Sequence, residues 1–463
     1  MMKLLDRLPS FARTLAAAAL ALLPAVAAAS TEEHQLANGL RIIVKPDRRA
    51  PVAVVMLWYK VGSIDEVNGV TGVAHVLEHM MFKRTKSVPP GEFSRIVAAA
   101  GGRDNAFTSH DYTGYFAILQ ASQLELALKL EADRMANLVL SSEEFAKEIR
   151  VVMEERRGRT DDRPRSLAFE QLMATALTAH PYRNPVIGWM NDIENLRVED
   201  AREFYERWYT PNNAFLVVVG DVEPGRVFAL AEKHFGPIAA RALPERKPQE
   251  EPAQLGVKRV TVKAPAELPY VMMVFRAPPL RDAGRDWEPY ALEMLAAVLD
   301  GNDAARLNRT LVREERLASS ADASYDGVAR GPGFFYLSAT PTPGRSAAEV
   351  ERGLRREMEK IINEGVAEEE LARAKAQAVA AHVYQRDSMF FQARQIGVLE
   401  TADIPHRTLD LQLAKLREVT SEQVREVARK YFRDDALTIV HLDPQPLSAR
   451  RPVAPPAGLR HAQ

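Results

Sequence analysis

Five consecutive residues, His75-Val76-Leu77-Glu78-His79, combine side-chain types and a spacing that could do chemistry. Around them Val73, Val76, Leu77 and Met80 recur at i, i+3, i+4 and i+7, the period of a helix with one buried stripe. On such a helix His75 and His79 stand one turn apart, so both imidazoles reach a single ion, with Glu78 on the same side. Two neutral imidazoles and a carboxylate from elsewhere in the chain form a three-ligand set for a catalytic zinc, leaving one position for water. Glu78, next to the ligands without being one, is then placed to take that water's proton. The competing reading is a solvated helix face that happens to hold two histidines and a glutamate. It loses ground if a second element offers the missing carboxylate.

Such an element follows. Ser141-Ser142-Glu143-Glu144 reads as a capping box opening a helix over residues 142–157. On it Glu148 and Glu155 lie two turns apart on one face, while Phe145, Ile149 and Val152 form the buried side. Glu154 is the adjacent competitor for the ligand role, and on the bare sequence Glu148 reads as a solvated helix charge.

The elements that must position these residues begin with residues 34–60, which read as β structure. Asn38-Gly39 is a hairpin signal there, and an apolar run spans 52–59. After the histidine helix come a helix at 90–99, the Gly101-Gly102 pair, strand-like residues 106–119 and an amphipathic helix over 122–140. Residues 166–178 and 198–208 also read as helices, before a strand at 214–219. Residues 243–254 are charged and Pro-rich, the composition of a linker. Beyond them the order repeats: strands at 257–262 and 270–276, then a helix at 287–299. Near the end, residues 422–432 followed by 434–440 echo 200–209 followed by 212–218, which points to two copies of one α+β unit.

The chain opens with Lys3, Arg7 and Arg13 ahead of an Ala- and Leu-rich run ending Ala27-Ala28-Ala29, the pattern of a secretory signal peptide over residues 1–29. The expected mature chain is exported, most simply to a bacterial periplasm, with no stretch left that could span a membrane. There is no cysteine, so any metal must use His, Asp or Glu. The formal charge of −1 becomes −3 once the leader and its Lys3, Arg7, Arg13 and Asp6 are gone, a balance that gives no argument for nucleic acid or an acidic membrane. The remaining roughly 430 residues suit two domains of about 200 each. These are a metal-binding domain over 30–242 and a homologous one over 255–444, with a disordered tail at 445–463 rich in Pro, Ala and Arg.

Taken together, His75-x-x-Glu78-His79, a 75-residue gap and Glu155 preceded by Val-Val-Met-Glu resemble the pitrilysin/insulysin family, which includes mitochondrial processing peptidase and carries the inverted H-x-x-E-H zinc signature. The segment from Gly101-Gly102 through Asn105-Ala106-Phe107-Thr108 is similar to that family's Gly-Gly-x-x-Asn-Ala-x-Thr stretch. The resemblance covers nearly all of residues 34–444.

It implies an α+β fold of two similar domains, each an antiparallel sheet packed with helices, and an endopeptidase that uses zinc on extended peptides. His75, His79 and Glu155 become the ligands, Glu78 the general base, and Glu148 the residue that orients a ligand histidine. Asn105, Ala106 and Phe107 become substrate-binding residues on an edge strand to which the peptide backbone adds. Single-chain relatives stabilise the oxyanion with an Arg and a Tyr seven residues later. Here Arg313 is present, Ser320 stands at the Tyr position, and Tyr325 comes five residues late. The chain therefore looks like the zinc-bearing half of a two-chain enzyme whose homologous partner supplies the Arg/Tyr pair, a homodimer being the other possibility. The rival expectation is a non-catalytic scaffold or chaperone-like subunit of the same fold.

Overall fold

A computed structural model describes residues 31–447. The expected signal peptide at 1–29 and most of the expected tail, 448–463, lie outside the described residues.

The first half begins with the hairpin β1 (Glu32–Gln35) and β2 (Arg41–Pro46), turning at Asn38-Gly39, followed by β3 (Val52–Tyr59). Helices α1 (Val73–Met80) and α2 (Glu92–Ala99) precede β4 (Arg103–Thr108) and β5 (Thr113–Gln120). Then come α3 (Leu124–Asn137), α4 (Ser142–Arg156), α5 (Pro164–Ala176), α6 (Met190–Asn195), α7 (Val198–Trp208), β6 (Ala214–Gly220) and α8 (Pro224–Phe235). The sheet runs β1-β2-β6-β3-β5-β4, so β4 is an edge strand.

The second half repeats the plan with β7 (Lys258–Pro265), β8 (Tyr270–Ala277), α9 (Glu288–Asp300), β9 (Ala318–Asp326) and β10 (Gly333–Pro341). Helices α10 (Ala347–Glu364), α11 (Glu368–Gln385), α12 (Met389–Thr401), α13 (Leu409–Glu418) and α14 (Ser421–Tyr431) lead to β11 (Leu437–Gln445). Its sheet runs β7-β11-β8-β10-β9, the order of the first sheet without its outer hairpin strand. Each sheet is antiparallel except for one pair, β2 with β6 and β7 with β11. In each half the last strand returns by a long helical connection and slots between the first two long strands, which makes it parallel to one and antiparallel to the other. The strand β11 includes Gln445, paired with Pro265, so the strand itself runs one residue into the expected tail.

One face of each sheet packs on helices of its own half. In the first half Val55, Leu57 and Tyr59 of β3 meet Val73, Val76, Leu77 and Met80, the stripe read from the sequence. The other faces are covered crosswise. From the second half, α12 lays Ala393 and Ile396 on Val54, Met56, Trp58, Phe215 and Val217 of the first sheet. From the first half, α5 lays Ala168, Leu172 and Met173 on Val274, Phe334 and Val440 of the second. The stretch expected as a linker has no regular structure, yet it is tied to both halves. Arg246 pairs with Asp65 at 2.6 Å, and Glu251 accepts from the amides of Thr178, Ala179 and His180 at 2.6–2.8 Å. Gln254 donates to the carbonyl of Leu437 at 2.6 Å.

Candidate metal centre

Every residue of α1 is buried, including three that carry charge or can carry it, so its polar groups need partners. The helix starts at Gly72, whose φ of +88° is left-handed and whose missing Cβ would stand 2.4 Å from the carbonyl oxygen of Ile187. No L-residue fits that crossing. The first-turn amides are satisfied from the loop. Glu66 accepts from the N–H groups of Gly72 and Ala74, both at 2.8 Å, where the helix dipole also favours a carboxylate. Asp192 of α6 accepts from the amides of Gly69 and Thr71 and, at 2.7 Å, from the Thr71 hydroxyl. Neither carboxylate was singled out in the sequence.

Thus anchored, α1 presents His75 and His79 to α4. Nε2 of His79 lies 3.3 Å from Oε2 of Glu155, and Nε2 of His75 lies 3.7 Å from Oε1. Ligand atoms of these three buried residues fall within 4.8 Å of one another. Tetrahedral zinc with bonds near 2.0–2.1 Å sets its ligands about 3.4 Å apart, so both the donor set and the spacing fit that ion. The choice between the adjacent glutamates is decided by direction. Glu155 has none of its side chain exposed, whereas Glu154 is 51% exposed and pairs with Arg157.

Glu148, two turns N-terminal to Glu155 on the same face of α4, meets Nδ1 of His79 at 2.9 Å, which leaves Nε2 to point at Glu155. Its other oxygen pairs with Lys83 at 2.5 Å. Ser141 caps α4 by accepting from the Glu144 amide, half of the box read from the sequence. Burial alone would drive the pKa of His79 down, but hydrogen bonds to Glu148 and Glu155 outweigh it and lift the value to about 9. Burial works against the charged form of Glu155 too, yet the two histidines hold it down to about 2. The pocket is built to bind positive charge.

Glu78 shares the helix face, and burial pushes its carboxyl up to about 7. The hydroxyl of Thr108, at the end of β4, donates to Glu78 Oε2. On that strand Ala106 and Thr108 face α1, while Phe107 turns to the opposite side of the sheet and packs on Trp58 with ring centroids 5.0 Å apart. Strand alternation commits the Phe107 side chain to the core under α12 and leaves its main chain on the edge strand. Asn105 lies inside β4 rather than in a turn after the glycines, and its Oδ1 accepts from the Ala106 amide at 2.9 Å.

The residues read as a remnant of an oxyanion pair lie on the second half. Arg313 is exposed in the last turn of a π-helical segment, Asn308–Glu314. Ser320 on β9 donates to the Thr340 hydroxyl at 3.1 Å, and the Tyr325 hydroxyl donates to the Pro278 carbonyl within its own half.

Comparison with known proteins fixes the family. A family model described as insulinase (peptidase family M16) matches residues 41–189, and one described as the peptidase M16 inactive domain matches residues 195–378. Zinc protease PqqE of Helicobacter pylori is 34% identical over 419 residues, an alignment covering 89% of this chain and 93% of that one. The chain belongs to peptidase family M16. The M16 chain also superposes on the crystal structure of a protease from Helicobacter pylori with a TM-score of 0.85 and 32% identity, covering 90% of this chain and 99% of the other. The periplasmic protease PqqL from Escherichia coli shares the fold at 20% identity and a TM-score of 0.77, with 90% of this chain spanning 48% of that longer one. The relatives are named zinc proteases, which supports a peptidase, and the cofactor is zinc. The second model's match starts at 195, ahead of β6, which pairs within the first sheet.

Proposed function

We propose that the protein is an exported zinc endopeptidase in which His75, His79 and Glu155 hold the metal and Glu78 is the general base. The observation that carries this reading is the convergence of the three donors at tetrahedral-edge distances, with Glu78 on the same buried helix. Zinc bound there supplies Lewis acidity toward a water molecule and the scissile carbonyl. Glu148 keeps His79 in the tautomer whose Nε2 is a donor to the metal. Glu78, held at Oε2 by Thr108, takes a proton from the attacking water and delivers it to the leaving amine nitrogen. An extended peptide adds to the open edge of β4, where main-chain groups of residues near Asn105 and Ala106 give affinity with little sequence reading.

The decisive experiment replaces the base alone. Glu78→Gln should keep one zinc per chain and lower peptide turnover by at least about a hundredfold. Loss of the metal in that variant would contradict the assignment. Peptide hydrolysis by the native protein that a chelator abolishes separates the peptidase from a scaffold subunit.

A further inference from the structure

The two carboxylate oxygens of Glu155 have different neighbours. Oε2 lies 3.3 Å from His79 Nε2, while Oε1 lies 3.7 Å from His75 Nε2 and 2.6 Å from Nη1 of Arg159. Arg159 reaches back one turn from the π-helical segment Arg157–Asp161 that continues α4, and 46% of its side chain is exposed. It therefore stands between the buried carboxylate and solvent. The preceding arginines are engaged elsewhere. Arg156 is buried against Glu170, at 2.8 and 3.0 Å, and the Gly188 carbonyl, at 2.8 Å, and Arg157 pairs with Glu154.

A carboxylate beside zinc binds through one oxygen or through both. Two-oxygen binding raises the coordination number and crowds the position that water needs. A guanidinium 2.6 Å from one oxygen is an ion pair that draws that oxygen toward itself and so biases the rotation of the carboxylate. The geometry points to Arg159 as a positioning residue that holds Glu155 to a single metal-facing oxygen and so keeps the water's place open. This rests on the zinc reading above and adds to it a reason for a cation beside a metal ligand, where charge alone would oppose binding of the metal.

The test is spectroscopic. The full mature chain is stripped with a chelator and reloaded with cobalt(II), whose four-coordinate complexes absorb visible light several-fold more strongly than its five-coordinate ones. Arg159→Met keeps the side-chain stem, removes the paired cation and should still take up one equivalent of cobalt. Its visible band should be markedly weaker than that of the native protein, and turnover of the zinc form should fall by about tenfold or more. Arg159→Lys, which keeps the charge, should return the band toward the native one. An unchanged band in Arg159→Met, or loss of stoichiometric metal from it, overturns the inference. Failure of the native chain to bind cobalt would instead remove the metal-site reading itself, so the two failures are distinct.

Discussion

Glu154 and Glu155 are covalent neighbours with opposite surroundings, and they give a sharp test at the scale of single residues. Glu155→Ala should strip the metal, because no other carboxylate of α4 faces the two histidines at ligand distance. Glu154→Ala should leave both metal and activity in place, since it removes only an exposed pair with Arg157, worth less than about 1 kcal/mol. Metal analysis of the two purified variants reads the difference directly, and a reversed result would move the helix register by one residue. Helical spacing is what made this cluster legible. Steps of four from His75 to His79 and of seven from Glu148 to Glu155 fix a common face before any tertiary contact is known. Lys83 stands four residues after His79 and was within reach of the same reasoning. Thr108 was not, because the meeting of a helix with the end of an edge strand leaves no period in the sequence. Arg159 lies four residues beyond Glu155, but on a π-helical turn that the pattern gave no reason to expect.

At the scale of elements, α12 determines how the first half is closed. Gly397 lies against Trp58, and a Cβ there would stand 2.0 Å from Cε2 of the indole. Gly397→Ala should force the helix off the sheet and lower stability by about 1–3 kcal/mol, seen as a lower melting temperature. The same helix carries Glu400, buried and bonded to Arg41 of β2 at 2.8 Å and to His406 at 2.8 Å, with Glu33 beside both partners. Burial would raise the pKa of Glu400, but those partners hold it at about 2. A depressed folded-state value stabilises the fold above the unfolded value near 4.5 and ceases to do so as pH falls through about 2. Melting temperatures of the native chain should therefore drop between pH 5 and 2 more than those of Glu400→Gln, and parallel curves would show that the pair contributes nothing. Alternating and helical periods announced β3, β6, α1, α4 and α7. They did not announce α10 to α13, residues the sequence reading left unassigned. The apolar side of α12 faces a sheet that lies hundreds of residues away along the chain. The Pro-rich stretch at 243–254 was recognisable by composition, whereas its bonds to both halves depend on where those halves meet.

For the whole molecule the open question is the oxyanion. Ser320 turns its hydroxyl onto Thr340, and a serine is too short to replace a phenol reaching across a cleft. The isolated chain should hydrolyse a quenched peptide weakly, by a factor of roughly 10²–10³ below a completed enzyme, the usual cost of a missing oxyanion donor. Adding a homologous exported chain that carries the Arg/Tyr pair should restore turnover. Full activity of the lone chain as a monomer or homodimer would show that no such partner is needed, and Ser320→Tyr raising the activity of the lone chain would support the need for one.

The crosswise cover by α5 and α12 also sets a schedule. A ribosome delivers the zinc-ligand helices early, but the outer face of their sheet stays bare until residues 389–401 have been made. The second sheet in turn waits for β11, placed between β7 and β8, before it is complete. Contacts so distant along the chain form late and slowly. A growing or interrupted chain that lacks these residues is thus left with its metal helix on an unfinished support.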